Sequence, residues 1–147
     1  MQRFDLATEN DTARLGARLA AQARPGDILA LHGALGAGKT SLARAFIRAF
    51  VANPSEEVPS PTFTLVQVYE GGRCPLWHLD LYRLERPEDA LELGLEEGFL
   101  EAVCLIEWPE RLGALLPERS LHLTLGFGPS DEARTLTLDG WQDRPLS

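Results

Sequence analysis

The segment Gly33-Ala-Leu-Gly-Ala-Gly-Lys39-Thr40 directly follows the apolar run Ile28-Leu-Ala-Leu-His32, and it restricts this chain more than any other stretch. It fits G-x-x-x-x-G-K-[ST], the phosphate-binding P-loop, which has meaning only where a strand delivers the loop and a helix leaves it. Both are readable here. The apolar run predicts the strand, and Ser41 to Val51 places Leu42, Phe46, Ile47 and Phe50 at helical spacing, with Arg44 and Arg48 four apart on another face. Gly33, Gly36 and Gly38 can take positive φ and carry no Cβ, so the backbone can wrap a polyphosphate and donate its N–H groups. Ala34 and Ala37 keep the rest of the loop small. Lys39 would then reach the β- and γ-phosphates and the Thr40 hydroxyl would ligate Mg²⁺. A Gly-Ala turn also occurs for packing alone, but this spacing in this context predicts a nucleoside triphosphate–Mg²⁺ site.

At 147 residues the chain is expected to form one domain that buries about two-thirds of its unfolded surface without disulfide staples. Cys74 and Cys104 sit in apolar stretches without C-x-x-C spacing, and read as small core residues of a reduced protein. The start, Met1-Gln-Arg-Phe-Asp, has no apolar signal region, and no run of about 18 apolar residues occurs, so a soluble cytoplasmic protein is expected with no membrane partner. Fourteen basic against 22 acidic residues give a net charge of −8. Such a surface argues against direct hold on a nucleic acid backbone, so any RNA-related role would run through a partner.

Phe4-Asp-Leu predicts a short strand, and Thr8-Glu-Asn-Asp-Thr12 a capped start to a helix carrying Leu15, Leu19 and Ala20. Arg24-Pro-Gly-Asp27 ends that helix before the P-loop strand. The stretch Asn53 to Pro61 holds three prolines and reads as an irregular loop. Phe63 to Tyr69 and Cys74 to Tyr82, joined by Glu70-Gly-Gly-Arg73, predict an antiparallel hairpin. Arg86-Pro87 opens an acidic helical segment to about Leu100, with interruptions expected at Gly94 and Gly98. Val103 to Glu107 is a buried strand ending in a carboxylate, Trp108 to Leu116 a short helix, and Leu121–Leu125 with Thr135–Leu138 a closing hairpin.

A P-loop site holds Mg²⁺ with its hydroxyl and an acid at a neighbouring strand end. Glu107 and Asp80 both answer that description, and position alone does not rank them. Ser60-Pro-Thr-Phe63 lies on a Pro-stiffened loop where switch segments sense a γ-phosphate, although Ser-Pro also opens plain turns.

The P-loop together with Ser60-Pro-Thr-Phe-Thr-Leu-Val66, His78-Leu-Asp-Leu-Tyr-Arg83 and Leu105-Ile-Glu-Trp-Pro109 closely resembles the TsaE family, over about Phe4 to Leu138. Its members are bacterial ATPases of tRNA threonylcarbamoyladenosine synthesis. The resemblance implies an α/β, three-layer P-loop NTPase-like domain over residues 1–147, with a mixed sheet of parallel core and antiparallel hairpins. It implies ATP and Mg²⁺ as cofactors and TsaB- and TsaD-like partners, with tRNA reached only through that complex and hydrolysis resetting it between turnovers. By position it assigns Gly33 and Gly36 to Lys39 to the phosphates, Ala37 among them, and Ser41 to the neighbourhood of the α-phosphate. Thr40 and Glu107 become Mg²⁺ ligands, Asp80 an outer-shell metal or water-positioning acid, and Thr62 a γ-phosphate sensor; Lys39, Asp80, Thr62 and Glu107 carry the hydrolysis. Trp108 and the Thr8 region fall where the nucleoside is expected, and Arg134 at a late basic position near the nucleotide. Trp108 is also readable as a packing residue. Residues 52–58 are Pro- and Glu-rich where the family often has a Gly, so the loop entering Ser60 is expected to differ in mobility.

Two other classes share the P-loop. A small-molecule kinase would need a basic lid, and the segment after Arg83 is acidic instead; a GTPase would need an Asn/Thr-Lys-x-Asp stretch, which is lacking. A nucleotide-gated binding module with incidental hydrolysis stays open as an alternative, since no obvious catalytic base is present and Arg83 and Arg134 alone could act as arginine fingers.

Overall fold

The strand that delivers the P-loop, β2 (Ile28–Gly33), is buried from Ile28 to Leu31, as a strand covered on both faces must be. In the computed structural model, which describes residues 1–34, 36–61 and 64–144, β2 is the middle of seven strands. The others are β1 (Gln2–Leu6), β3 (Val66–Tyr69), β4 (Leu76–Asp80), β5 (Val103–Glu107), β6 (Leu121–Phe127) and β7 (Arg134–Asp139), in the order β1-β7-β6-β2-β5-β4-β3. Four strands, β6, β2, β5 and β4, run parallel. The pairs β1–β7, β6–β7 and β3–β4 are antiparallel, so the parallel core and the two hairpins follow the sequence expectation.

Strand alternation divides the core. Leu29, Leu31, Leu105 and Leu123 face helices α1 (Glu9–Gln22) and α2 (Lys39–Phe50), meeting Leu15, Leu19, Leu42, Phe46 and Ile47. Ile28, Leu79, Cys104 and Ile106 face the opposite layer, made by α3 (Leu95–Glu101) and two 3₁₀ helices, Pro87–Leu93 and Pro109–Leu115. The result is the three-layer α/β architecture. Helix α1 starts with a capping box: Thr8 Oγ1 accepts from the Asp11 amide at 3.2 Å, and Asp11 Oδ2 accepts from the Thr8 amide at 3.3 Å.

The acidic helical stretch is interrupted at Gly94, with φ +79°, but not at Gly98. Gly98 lies inside α3 because Trp77 packs on it: a Cβ there would sit 2.6 Å from Trp77 Cζ3. Both cysteines are free, and Cys74 is only half-buried. Cys104 is fully buried, which pushes its thiol up to about 12. Among the described residues no helix is long and apolar enough to cross a membrane.

Candidate nucleotide and metal site

The P-loop leaves β2 at Gly33, whose φ of +146° and position against β6 both exclude a side chain, since a Cβ would lie 2.7 Å from the Leu125 carbonyl oxygen. Gly33 thus fixes the angle at which the loop departs. Ala37 is fully buried in the core beneath the loop, and its amide donates to the Ala34 carbonyl at 3.0 Å. Gly38, at φ +104°, is the residue before α2 and offers no side-chain cap. The first-turn N–H groups of α2 therefore lack a capping acceptor, which is how a helix N-terminus receives an anion.

In front of this terminus lies a cleft of about 320 Å³ lined by Gly36, Gly38, Lys39, Thr40 and Ser41 on the P-loop side. Ser60, Asp80, Glu107, Trp108 and Arg134 complete its lining. Five of the residues expected at the phosphates and metal thus share one cleft with the two strand-end acids and Trp108, while Gly33 and Ala37 do not line it. Thr62 lies outside the described residues. Lys39 is buried, and its ammonium sits 4.6 Å from the centroid of the Trp108 ring. That ring is aimed by strained backbone: Trp108 holds φ +59° and ψ +49°, a left-handed conformation that costs a bulky residue about 1–3 kcal/mol. Tyr82 also packs against it, tilted by 56° with centroids 4.9 Å apart.

Asp80 and Glu107 are register partners on adjacent parallel strands and both are buried. Asp80 Oδ1 accepts from the Tyr82 amide at 3.0 Å, and Glu107 Oε2 lies 2.7 Å from His78 Nε2. Alternation puts His78, Asp80 and Glu107 on the face that carries α2, so both carboxylates look toward Lys39 and Thr40. Among the described residues no set of three or more His, Cys, Asp or Glu could hold a metal ion. Two carboxylates and a hydroxyl nevertheless suit Mg²⁺, which keeps waters and leans on substrate phosphates rather than on a protein cage.

The structure parts the two residues expected at the nucleoside. Trp108 is in the cleft with Lys39, while Thr8 spends its hydroxyl on the α1 cap. The next residue, Glu9, lines a second cleft with Thr12, Gly38, Ser41 and Arg134, and accepts from Ser41 Oγ at 3.4 Å. Arg134 borders both clefts: it donates to the Gly36 carbonyl at 3.4 Å and its guanidinium lies 5.2 Å from the Phe127 ring. A third, more apolar cleft of about 410 Å³ continues from Arg134 along Leu6, Ala7, Pro129 and Ala133. The sequence reading overlooked Glu9, Phe127 and His78. His78 carried a signal, since it opens the motif that holds Asp80, and so did Glu9, which lies in the Thr8 region that the resemblance places at the nucleoside.

A parallel-core sheet that feeds a glycine loop into an uncapped helix, with two acids on the neighbouring strand ends, defines a P-loop NTPase-like protein. More narrowly, the chain belongs to the TsaE family: residues 6–136 match the model of the threonylcarbamoyl adenosine biosynthesis protein TsaE. It is 40% identical over 120 residues to the tRNA threonylcarbamoyladenosine biosynthesis protein TsaE of Rickettsia conorii, spanning 82% of this chain and 68% of that one. To the Bacillus subtilis protein of the same name it is 38% identical over 123 residues, spanning 83% and 75%. The crystal structure of Bacillus subtilis YdiB superposes with a TM-score of 0.78 at 30% identity, covering 97% of this chain and 87% of that one.

Proposed function

We propose that this protein binds ATP and Mg²⁺ at the P-loop cleft, hydrolyses ATP to ADP and phosphate, and so supports threonylcarbamoyl modification of tRNA. It would do this in the cytoplasm by acting on TsaB- and TsaD-like partners. The observation that carries the reading is the convergence of Lys39, Thr40, Asp80 and Glu107 on one cleft before the N-terminus of α2. The first-turn amides and Gly36 to Gly38 cradle the phosphates, and Lys39 leaves the Trp108 ring to neutralise the β- and γ-oxygens. Thr40 and Glu107 would hold the metal, which when bound would offset negative charge on the nucleotide's phosphates. Asp80, tied to the Tyr82 amide, orients the attacking water. The nucleoside goes to the side of Glu9 and Arg134, because Trp108 stands beside Lys39 at the phosphate end. Thr62, by family position, senses the γ-phosphate.

Among the described residues no basic lid of the kind a small-molecule kinase closes stands over the cleft: residues 85–101 are net acidic and pack on the sheet face away from α2. The decisive experiment measures phosphate release from ATP with and without the partner pair, alongside multiple-turnover tRNA modification. The expected result is slow release alone and faster release with partners. Release that partners leave unchanged, with modification unaffected by omitting this protein, overturns the proposal.

A further inference from the structure

His78 is about 2% exposed and faces the P-loop side of the sheet, yet no step above uses it. Its Nε2 lies 2.7 Å from Glu107 Oε2, and its Nδ1 is buried with no hydrogen-bond partner among the described residues. Only one arrangement of the ring suits both facts. A proton on Nδ1 would be a buried donor with nothing to accept it, and an unprotonated Nε2 would set a lone pair against a carboxylate oxygen. The ring therefore carries its proton on Nε2 and donates it to Glu107. A carboxylate on a strand end is otherwise free to turn about its last two bonds; here one oxygen is committed, so the orientation of the group lining the cleft is set before any ligand arrives.

We infer that His78 is the positioning residue of the metal-side carboxylate: its Nε2–H holds Glu107 Oε2 so that Glu107 meets Mg²⁺ already oriented. This rests on the proposed role of Glu107. The consequence is a selective one: loss of His78 should weaken what Mg²⁺ adds to nucleotide binding, not the binding that the P-loop gives without metal.

The test is the gain in ADP affinity of the full chain on adding saturating Mg²⁺, measured by calorimetry for the parent, H78Q, H78N and E107Q. The Gln amide can reach the place of Nε2, whereas the shorter Asn amide sits at the place of Nδ1. H78N should lose about tenfold of the Mg²⁺-dependent gain, and H78Q should stay within about threefold of the parent. Metal-free ADP affinity should be alike in all three. If H78Q and H78N lose the gain equally, or neither loses it, His78 is only a packing residue and the inference fails. If E107Q itself retains the full gain, the role of Glu107 is wrong and the inference falls with it. A readout independent of any variant is the imidazole ¹⁵N spectrum of the parent protein, which should show His78 Nε2 protonated; a ring protonated on Nδ1 alone overturns the inference even should every variant misfold.

Discussion

Lys39 illustrates how one side chain serves two states. Without phosphates its ammonium is covered by the Trp108 ring, a cation–π contact in a buried setting; with phosphates the same charge is needed at the β- and γ-oxygens. Lys39→Ala should therefore lower partner-stimulated phosphate release about 100-fold or more, as loss of a charge-stabilising donor does, while the circular-dichroism melt stays nearly where it was. Release at the parental rate would sink the P-loop assignment. The two carboxylates are not equivalent either. Glu107 is held through its side chain by His78, whereas Asp80 is tied to the backbone of its own strand exit, so Glu107→Gln should weaken the Mg²⁺ dependence of hydrolysis more than Asp80→Asn. A magnesium titration giving the reverse order would exchange their roles.

At the level of elements, Gly98 shows where local propensity misleads. Glycine weakens a helix by about 1 kcal/mol relative to alanine, which is why it reads as a break, but Trp77 from β4 needs the space above it, and the packing decides. Gly98→Ala should thus destabilise the protein by about 1–3 kcal/mol despite its better helix propensity, seen as a lower urea midpoint, and Trp77→Leu in the same chain should recover part of the loss. A stabilised Gly98→Ala would show that propensity governs α3 after all. The parallel strands and the capped start of α1 were legible because period and punctuation are local: a continuous apolar run at Ile28 to Leu31, Thr8 ahead of Asp11. Both acids were legible as strand ends for the same reason. Their pairing was not, since Asp80 meets Glu107 only through the register of β4 on β5, a contact between distant segments. His78 was missed for that reason too, and nothing local announces that Trp108 adopts a left-handed backbone.

At the scale of the whole molecule, the P-loop strand is coupled to the opposite layer by a small polar cluster. His32, one residue before Gly33, stacks on His122 of β6 with ring centroids 5.1 Å apart, and its Nε2 lies 2.8 Å from His122 Nδ1. Its Nδ1 lies 3.9 Å from Glu110 on the second 3₁₀ helix. Burial holds the His32 pKa below the ordinary 6.5, helped by the nearby His122 and Lys39 and opposed by Glu110. The unfolded chain therefore takes up this proton before the folded one does. Stability from His32 is fully present above the ordinary histidine value and is lost as pH falls through the lower folded value. The chain carries two further histidines and 22 acidic residues, so the parent alone cannot isolate the effect. Comparison with His32→Gln can: between pH 7.5 and 5.5 the urea midpoint of the parent should fall more than that of the variant, which has no proton to gain at this position. Parallel profiles would mean that His32 is equally easy to protonate folded and unfolded, and that the strand entering the P-loop carries no acid-sensitive link to the layer behind it.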